Sequence, residues 1–359
     1  MPTPASPELK RYRGAVIGAG GIARQSHLPA LQGAAGLRSR VDVVALVDNA
    51  TDVPPVDGIP LLAHRERLRE LAPLDFIDIC TPTASHLDLT LWGLEQGYHV
   101  ICEKPVALTR AEADRVAAAA RASARIVVPC HQYRYNPVWM KVKEWLTAGA
   151  IGRWHLAELS VYRLAADPGR VGGVGGEAGS TPAAPWRGTS AAGRGGVLLD
   201  HGTHLIYQLL DIAGLPTAVS AWTGRLRHSA YDVEDTASLR FEYPDRLVTM
   251  FFTWAARARE NRIRFVGDAG SIHWAGGELC LEQSGGKTER LDCSAELEKT
   301  AYQRWFAGLF AVFVAALDRN DPRPVARPFL EDIARVASVV EHAYAAARTG
   351  STVAIPAGA

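Results

Sequence analysis

Over the first third of the chain, short apolar runs alternate with segments of helical spacing. GAVIGAG (14–20) and VDVVALVD (41–48) read as buried strands, with a helix over roughly 22–32 between them. LDFIDICTP (74–82) supplies a further strand, and SHLDLTLWGLEQG (85–97) follows with helical spacing and a closing glycine. YHVICEKP (98–105) comes next, then TRAEADRVAAAARAS (109–123), opened by a threonine cap and filled with alanine, then ARIVVPC (124–130). Apolar strands in strict alternation with helices predict an α/β fold built on a doubly wound parallel sheet.

The pattern changes after Tyr133. NPVWMKVKEWLTAG (136–149) is an amphipathic helix ending in glycine, and GRWHLAELSVYRL (152–164) has the two-residue period of a strand. Residues 165–196 are dense in Gly, Ala and Pro, a composition that packs no core and predicts a long loop. A helix, VLLDHGTHLIYQLLDIAG (197–214), follows, and then strands at hairpin spacing: AVSAWTGRL, DTASLRFEY, RLVTMFFTWAA, NRIRFVG and GSIHWAG. These predict a mostly antiparallel open sheet with one face covered. Helices near Tyr302–Arg319 and Phe329–Arg348 close the chain, and no internal repeat is present. The expected division is a nucleotide-binding unit over 1–132 and a substrate-binding and oligomerisation unit over 133–359, the last helix packing back on the first unit.

Composition narrows the picture mainly by exclusion. With 359 residues and 48% hydrophobic content the chain is an ordinary globular one, long for a single domain. A formal charge of +1 and the absence of a Lys/Arg run argue against nucleic acid as a partner. MPTPASPELKRYRG lacks the apolar core of a signal peptide and no apolar run reaches membrane-spanning length, so the expected setting is the cytoplasm, without a membrane partner. Five cysteines, never in a C-x-x-C pair, read as reduced and buried thiols.

Four motifs carry chemistry. In GAGGIA (18–23) at the strand–helix junction, Gly18 permits a tight turn, Gly20 lets a pyrophosphate approach the backbone, and Ala23 allows close helix–strand packing. The N–H groups of Gly21 and Ile22 at the helix N-terminus would hold the anion. Asp48, ending the second strand, suits the two ribose hydroxyls of adenosine and repels a 2′-phosphate, which favours NAD over NADP. Glu103, Lys104 and Pro105 leave a strand at its carboxyl end, where such sheets bind ligands, and a proline there, as a cis peptide, fixes the direction of a lysine that can serve as acid or base. In GGVLLDHGTH (195–204), Asp200 and His204 are four residues apart on one helical face, and a carboxylate beside an imidazole fixes its tautomer. His201 and His204 lack a third ligand at familiar spacing, so no metal is expected.

With GAGGIA, CTPTASH, GYHVICEKP, QYRYNP and GGVLLDHGTH in one order, the chain resembles the Gfo/Idh/MocA family of nicotinamide-dependent oxidoreductases from about Tyr12 to Ile355. The family includes glucose–fructose oxidoreductase and inositol dehydrogenase. The resemblance implies an N-terminal Rossmann domain, a C-terminal α/β domain with an open sheet, and a homodimer or homotetramer. It makes Lys104 the catalytic lysine, Glu103 its neighbour and Pro105 typically cis, and it makes Asp200 and His204 an acid–histidine pair. It places Thr81, Pro82 and His86 along the cofactor, and Gln132, Arg134 and Tyr135 at the domain junction. Trp186 and Arg187 match a pair often near the active site. Gln132, Trp186 and Arg187 are then expected at the cofactor, Arg134, Tyr135 and His201 at the substrate. His201 stands where an aliphatic residue is usual and Tyr207 where an aspartate often follows the histidine, changes that bear on substrate identity. The glycine-rich loop, longer than usual, is expected to act as a substrate lid. The implied reaction is oxidation of a secondary alcohol on a sugar, cyclitol or related polyol, with His204 taking the proton and Lys104 stabilising the oxygen. Rival readings are a non-catalytic dinucleotide sensor, hydrolysis or elimination through a transient ketone, and a biosynthetic reductase.

Overall fold

The alternating apolar runs pair edge to edge. Strands β1 (Tyr12–Ile17), β2 (Val41–Val47), β3 (Leu61–Leu62), β4 (Phe76–Ile79), β5 (His99–Cys102) and β6 (Val127–Pro129) form a parallel sheet in the order β3-β2-β1-β4-β5-β6. The computed structural model describes residues 10–50, 53–71, 73–166, 185–319, 321 and 323–358. The N-terminal segment 1–9 and most of the proposed lid, 167–184, therefore lie outside the described residues. Strand order reverses at β1, which puts the ligand crevice at the carboxyl ends of β1 and β4. Alternation sends Ile77 and Ile79 to one face, against Leu89, Trp92, Val116 and Ala120, and Phe76 to the other. On that second face Phe306, Phe310 and Phe313 of helix Ala301–Leu317 are buried, so the far end of the chain completes the first core. Thr109 caps helix Arg110–Ser123 as its sequence implies: its hydroxyl accepts the Glu112 N–H at 3.1 Å, and the Glu112 carboxylate accepts the Leu108 N–H at 2.7 Å.

The second sheet comprises β7 (Trp154–Tyr162), β8 (Ala218–Gly224), β9 (Thr236–Glu242), β10 (Leu247–Thr253), β11 (Glu260–Gly267), β12 (Gly270–Ala275), β13 (Glu278–Gln283), β14 (Thr288–Asp292) and β15 (Val353–Ala354). Its order is β14-β13-β12-β11-β7-β10-β9-β8-β15, antiparallel except where β7 meets β10. Helices Pro137–Thr147, Thr203–Ala213 and Arg323–Thr349 cover one face, and the other is open. Helix Arg323–Thr349 joins the two cores: Leu330, Ile333 and Ala337 pack into the first, Val336, Val339 and Val340 into the second. Strand β14 is the edge of the sheet and polar on much of its length, and β13 beside it has only Leu279–Leu281 apolar between acidic and amide residues, so neither stands out in the sequence. Cys80, Cys102, Cys130 and Cys280 are buried, Cys293 is partly so, and all five are free. Among the described residues no helix is long and apolar enough to cross a membrane.

Two segments read as regular helix each begin with a π turn, Ala23–His27 and Leu198–Gly202. Such wide turns concentrate at functional sites. Both bear on the cleft.

Candidate active site

A cleft of about 750 Å³ runs from the glycine turn after β1 to helix Thr203–Ala213. At its first end Gly18 has φ +93°, and a Cβ there would lie 2.7 Å from the Cys80 carbonyl carbon, so only glycine allows this turn. Gly20, Gly21 and Ile22 line the cleft beside it. Asp48 accepts the Ala19 N–H at 2.8 Å on one oxygen and the Ala50 N–H at 2.9 Å on the other. The carboxylate is thus oriented by the glycine turn, with a lone pair on each oxygen left for a ribose hydroxyl. Gln132 is buried on the cleft wall, and its Oε1 has no hydrogen-bond partner. An orphaned buried acceptor is costly unless a ligand supplies the donor. The glycine cradle, the oriented carboxylate and this acceptor together fit a nicotinamide dinucleotide.

The Lys104–Pro105 peptide is cis. Thr81, Pro82 and His86 line the same stretch, and the His86 ring nitrogens lie 2.8 Å from the carbonyl oxygens of Pro105 and Thr81, tying the two turns together. Glu103 also reaches the cleft wall, but its carboxylate is engaged behind it. Its Oε1 is 3.0 Å from His27 Nε2, while His27 Nδ1 is 2.8 Å from Asp78 Oδ2, all in the interior. Burial disfavours the His27 imidazolium, yet Asp78 outweighs it and holds this histidine well above its ordinary pKa. Burial likewise opposes ionisation of Glu103, and the bond to His27 overcomes it. The other Glu103 oxygen accepts the Lys104 N–H at 3.2 Å, so Glu103 positions the lysine's backbone. No motif marks His27 or Asp78 in the sequence; the one local signal is an acid inside the apolar strand FIDI, which implies a buried partner.

Lys104 Nζ donates to the Asp200 carboxylate at 2.9 Å and to the Asp200 carbonyl at 2.5 Å. Arg187 Nε reaches the same carboxylate at 3.3 Å, and its guanidinium lies 4.1 Å above the Trp186 ring. Burial alone would raise the Asp200 pKa, but Lys104, Arg187 and His201 hold it well below the usual carboxylate value. The expected Asp200–His204 pair does not form. The π turn Leu198–Gly202 breaks the register that would stack residues four apart, and the Lys104 ammonium takes the carboxylate instead.

His204 finds another partner. Its Nδ1 is 3.0 Å from the hydroxyl of Tyr207, which also accepts the Tyr133 N–H at 3.0 Å. The Tyr133 ring stacks on the imidazole at 4.3 Å and 11°, and the Tyr133 carbonyl accepts from Gln208 at 3.0 Å. Tyr207 thus takes the orienting place of an acid. Its hydroxyl both donates and accepts: with the proton on Nδ1 the imidazole offers Nε2 as a base, and with it on Nε2 the ring donates to a carbonyl oxygen. Burial, reinforced by Lys104, pushes His204 well below the ordinary histidine pKa, and burial pushes His201 down to about 3, so both are neutral at neutral pH. Tyr207→Phe is expected to lower kcat by about 10- to 100-fold with little change in KM, since it frees the ring without touching the cleft's binding groups. Steady-state kinetics check this, and an unchanged kcat would remove Tyr207 from the site.

Arg134 and Tyr135, expected at the substrate, do not line the cleft. Arg134 forks onto both oxygens of Asp332 in the C-terminal helix, at 2.9 and 2.8 Å, and Tyr135 packs against helix Ala301–Leu317. The fork leaves no donor pair for a ligand, and these residues hold the two cores together. His131 Nδ1 adds a contact to Asp332 at 2.6 Å. Burial opposes the Asp332 charge, but His131 and Arg134 outweigh it and hold the carboxyl well below its ordinary pKa. A depressed carboxyl contributes stability above its unfolded pKa, about 4, and loses it as pH falls through the folded value. Asp332→Asn is therefore expected to cost about 3 kcal/mol at neutral pH, with the gap to wild type narrowing below about pH 4. Urea unfolding at the two pH values measures this.

Residues 12–131 match an oxidoreductase family with an NAD-binding Rossmann fold, and residues 139–273 match the GFO/IDH/MocA C-terminal domain. The uncharacterized oxidoreductase YdgJ of Escherichia coli (strain K12) is 25% identical over 256 residues, 71% of this chain and 69% of that protein. D-apiose dehydrogenase of Paraburkholderia graminis is 33% identical over 150 residues, 40% of this chain and 38% of that protein, so that match spans well under half the relative's length. Among solved structures, an oxidoreductase from Agrobacterium radiobacter in complex with NAD+, L-tartaric acid and magnesium has the same fold, with a TM-score of 0.78 at 20% identity over 96% of this chain and 99% of that one.

Proposed function

Since the chain belongs to the GFO/IDH/MocA family of oxidoreductases and carries its NAD-binding Rossmann half, we propose that it interconverts a secondary alcohol and a ketone on a sugar, cyclitol or related polyol. When bound, the dinucleotide supplies the hydride acceptor. The turn Gly18–Gly21 and the Ile22 N–H hold its pyrophosphate, Asp48 its adenosine ribose, and the orphaned Gln132 Oε1 accepts from its carboxamide. Trp186 closes the wall and Arg187 keeps Asp200 ionised. Lys104, steadied by Asp200 and by Glu103 behind it, donates a hydrogen bond to the reacting oxygen and stabilises charge there. His204, neutral and steadied by Tyr207 and Tyr133, takes the hydroxyl proton at Nε2. His201, also neutral, donates to a neighbouring hydroxyl.

One observation carries this reading: Lys104, from the end of β5, and His204, from the second half of the chain, line the same cleft as the glycine turn. The sugar class is supported by similarity to D-apiose dehydrogenase. The test is a panel of polyols and keto-sugars with NAD and NADP, followed by nicotinamide absorbance. Turnover with at least one polyol and a preference for NAD is expected. Dinucleotide binding without turnover of any member would overturn the reading in favour of a sensor.

We further infer a cytoplasmic homodimer or homotetramer without nucleic-acid or membrane partners. Free buried cysteines fit a reducing compartment, and the balanced charge gives a phosphate backbone or lipid surface little hold. The open face of the second sheet carries Trp222, 50% exposed, in line with Ser238 and Phe251, and the Phe251 ring meets Tyr162 at 5.6 Å. Aromatic area of this kind suits a second copy of the chain. Light scattering of the eluted protein reads the subunit count.

A further inference from the structure

We infer that the substrate carries an anionic group, a carboxylate or a phosphate monoester, that docks against Arg163 at the end of β7. The inference rests on the alcohol oxidation proposed above and narrows its substrate class to acidic sugars. Among the described residues, the substrate half of the cleft is lined by Lys104, Arg163, Arg187, Arg259 and Lys299, with Asp200 the one carboxylate beside Glu103, which is committed to His27. Lys104 and Arg187 share Asp200.

Arg163 is placed differently. It is only 7% exposed, and it donates to the carbonyl oxygens of Tyr162 at 2.7 Å and Glu260 at 3.0 Å and to the amide oxygen of Asn261 at 2.9 Å. Each of these acceptors is neutral. The three oxygens fix the direction of the guanidinium, and among the described residues no carboxylate is in contact with it, the Asp200 charge acting only from a distance; a buried cation without a carboxylate in contact is costly. Burial and then Arg259 lower its pKa and outweigh the raising effect of Tyr133, Tyr302 and the more distant Asp200, whereas the less buried Arg134 is raised because Asp332, in direct contact, outweighs burial there. A rigid, desolvated cation on a cleft wall is what recognises a carboxylate or phosphate through charge-assisted bonds. A hydroxyl of a neutral polyol leaves the charge where it was. The dinucleotide's own phosphates do not answer this need, because the glycine turn after β1 holds them. The cationic wall also reaches the reacting side: Arg259 donates to the Tyr302 hydroxyl at 2.9 Å, which lies 3.4 Å from that of Tyr133, and the Tyr133 ring stacks on His204.

The experiment compares substrates that differ at one terminal group, anionic or neutral: a hexuronate and a hexose 6-phosphate against the parent hexose, and an aldonate against its alditol, each with NAD. An anionic member is expected to exceed its neutral partner in kcat/KM by about tenfold or more, and the better arm tells carboxylate from phosphate. Acetate or inorganic phosphate is expected to inhibit competitively against that substrate. Arg163→Gln is expected to shrink the anion-to-neutral ratio by about tenfold, with Arg163→Lys restoring part of it. If the Gln variant fails to fold, inhibition of the wild type by simple anions decides. Neutral members turning over as well as charged ones, without inhibition by either anion, would overturn the inference and leave the alcohol oxidation standing. Dinucleotide binding with no turnover of any member would remove both.

Discussion

Lys104→Met is expected to lower kcat by about 10³-fold while NAD affinity stays within about twofold. Methionine has nearly the length of lysine and keeps the apolar packing of the stem, so the change removes the ammonium and little else. Lost with it are both bonds to Asp200 and the donor proposed for the reacting oxygen. Arg187 stays on the Asp200 carboxylate and keeps it from being stranded. The residues proposed to hold the dinucleotide, Gly18, Asp48 and Gln132, lie elsewhere in the cleft. Single-turnover rates and a fluorescence titration with NAD separate the two effects. Turnover near the wild-type rate would mean that another group stabilises the oxygen.

His204→Asn is expected to lower kcat by about 10²- to 10⁴-fold. The wild-type pH profile is the sharper part of this prediction. A base works when deprotonated, and burial together with Lys104 keeps His204 deprotonated well below the ordinary histidine range. Hence kcat/KM of the wild type is expected to be flat from about pH 6 to about pH 8, where a solvent-exposed histidine changes charge. The Asn variant should recover rate steadily with rising pH, as hydroxide replaces the missing base. An acid limb centred at about pH 6.5 in the wild type would place His204 in a wetter setting than the structure gives it.

The sequence disclosed the parts of this site whose chemistry is local. A glycine at a turn with φ +93°, an acid at the end of β2 and a Glu-Lys-Pro run at the end of β5 each suit a ligand site in a doubly wound sheet, and each lines the cleft. It could not disclose partners that depend on helix phase or on distant packing. The π turn at Leu198–Gly202 looks like ordinary helix in the residues, yet it turns Asp200 to Lys104 and leaves His204 to Tyr207. Arg134 and Tyr135 sit next to Gln132 and Tyr133 in the chain, but Asp332, 198 residues from Arg134, draws the arginine away from the cleft. Arg163 gave no sign at all, since an arginine at a strand end is ordinarily a solvated one and only the tertiary fold buries it.

Whether Lys104 and His204 meet on one alcohol oxygen can be seen in a crystal of the protein with NAD and a non-reacting polyol analogue. One hydroxyl oxygen of the analogue is expected within about 2.6–3.2 Å of both Lys104 Nζ and His204 Nε2, on the side of the cleft that holds the nicotinamide. An analogue that meets the two side chains through different atoms, or a nicotinamide turned away from both, would contradict it.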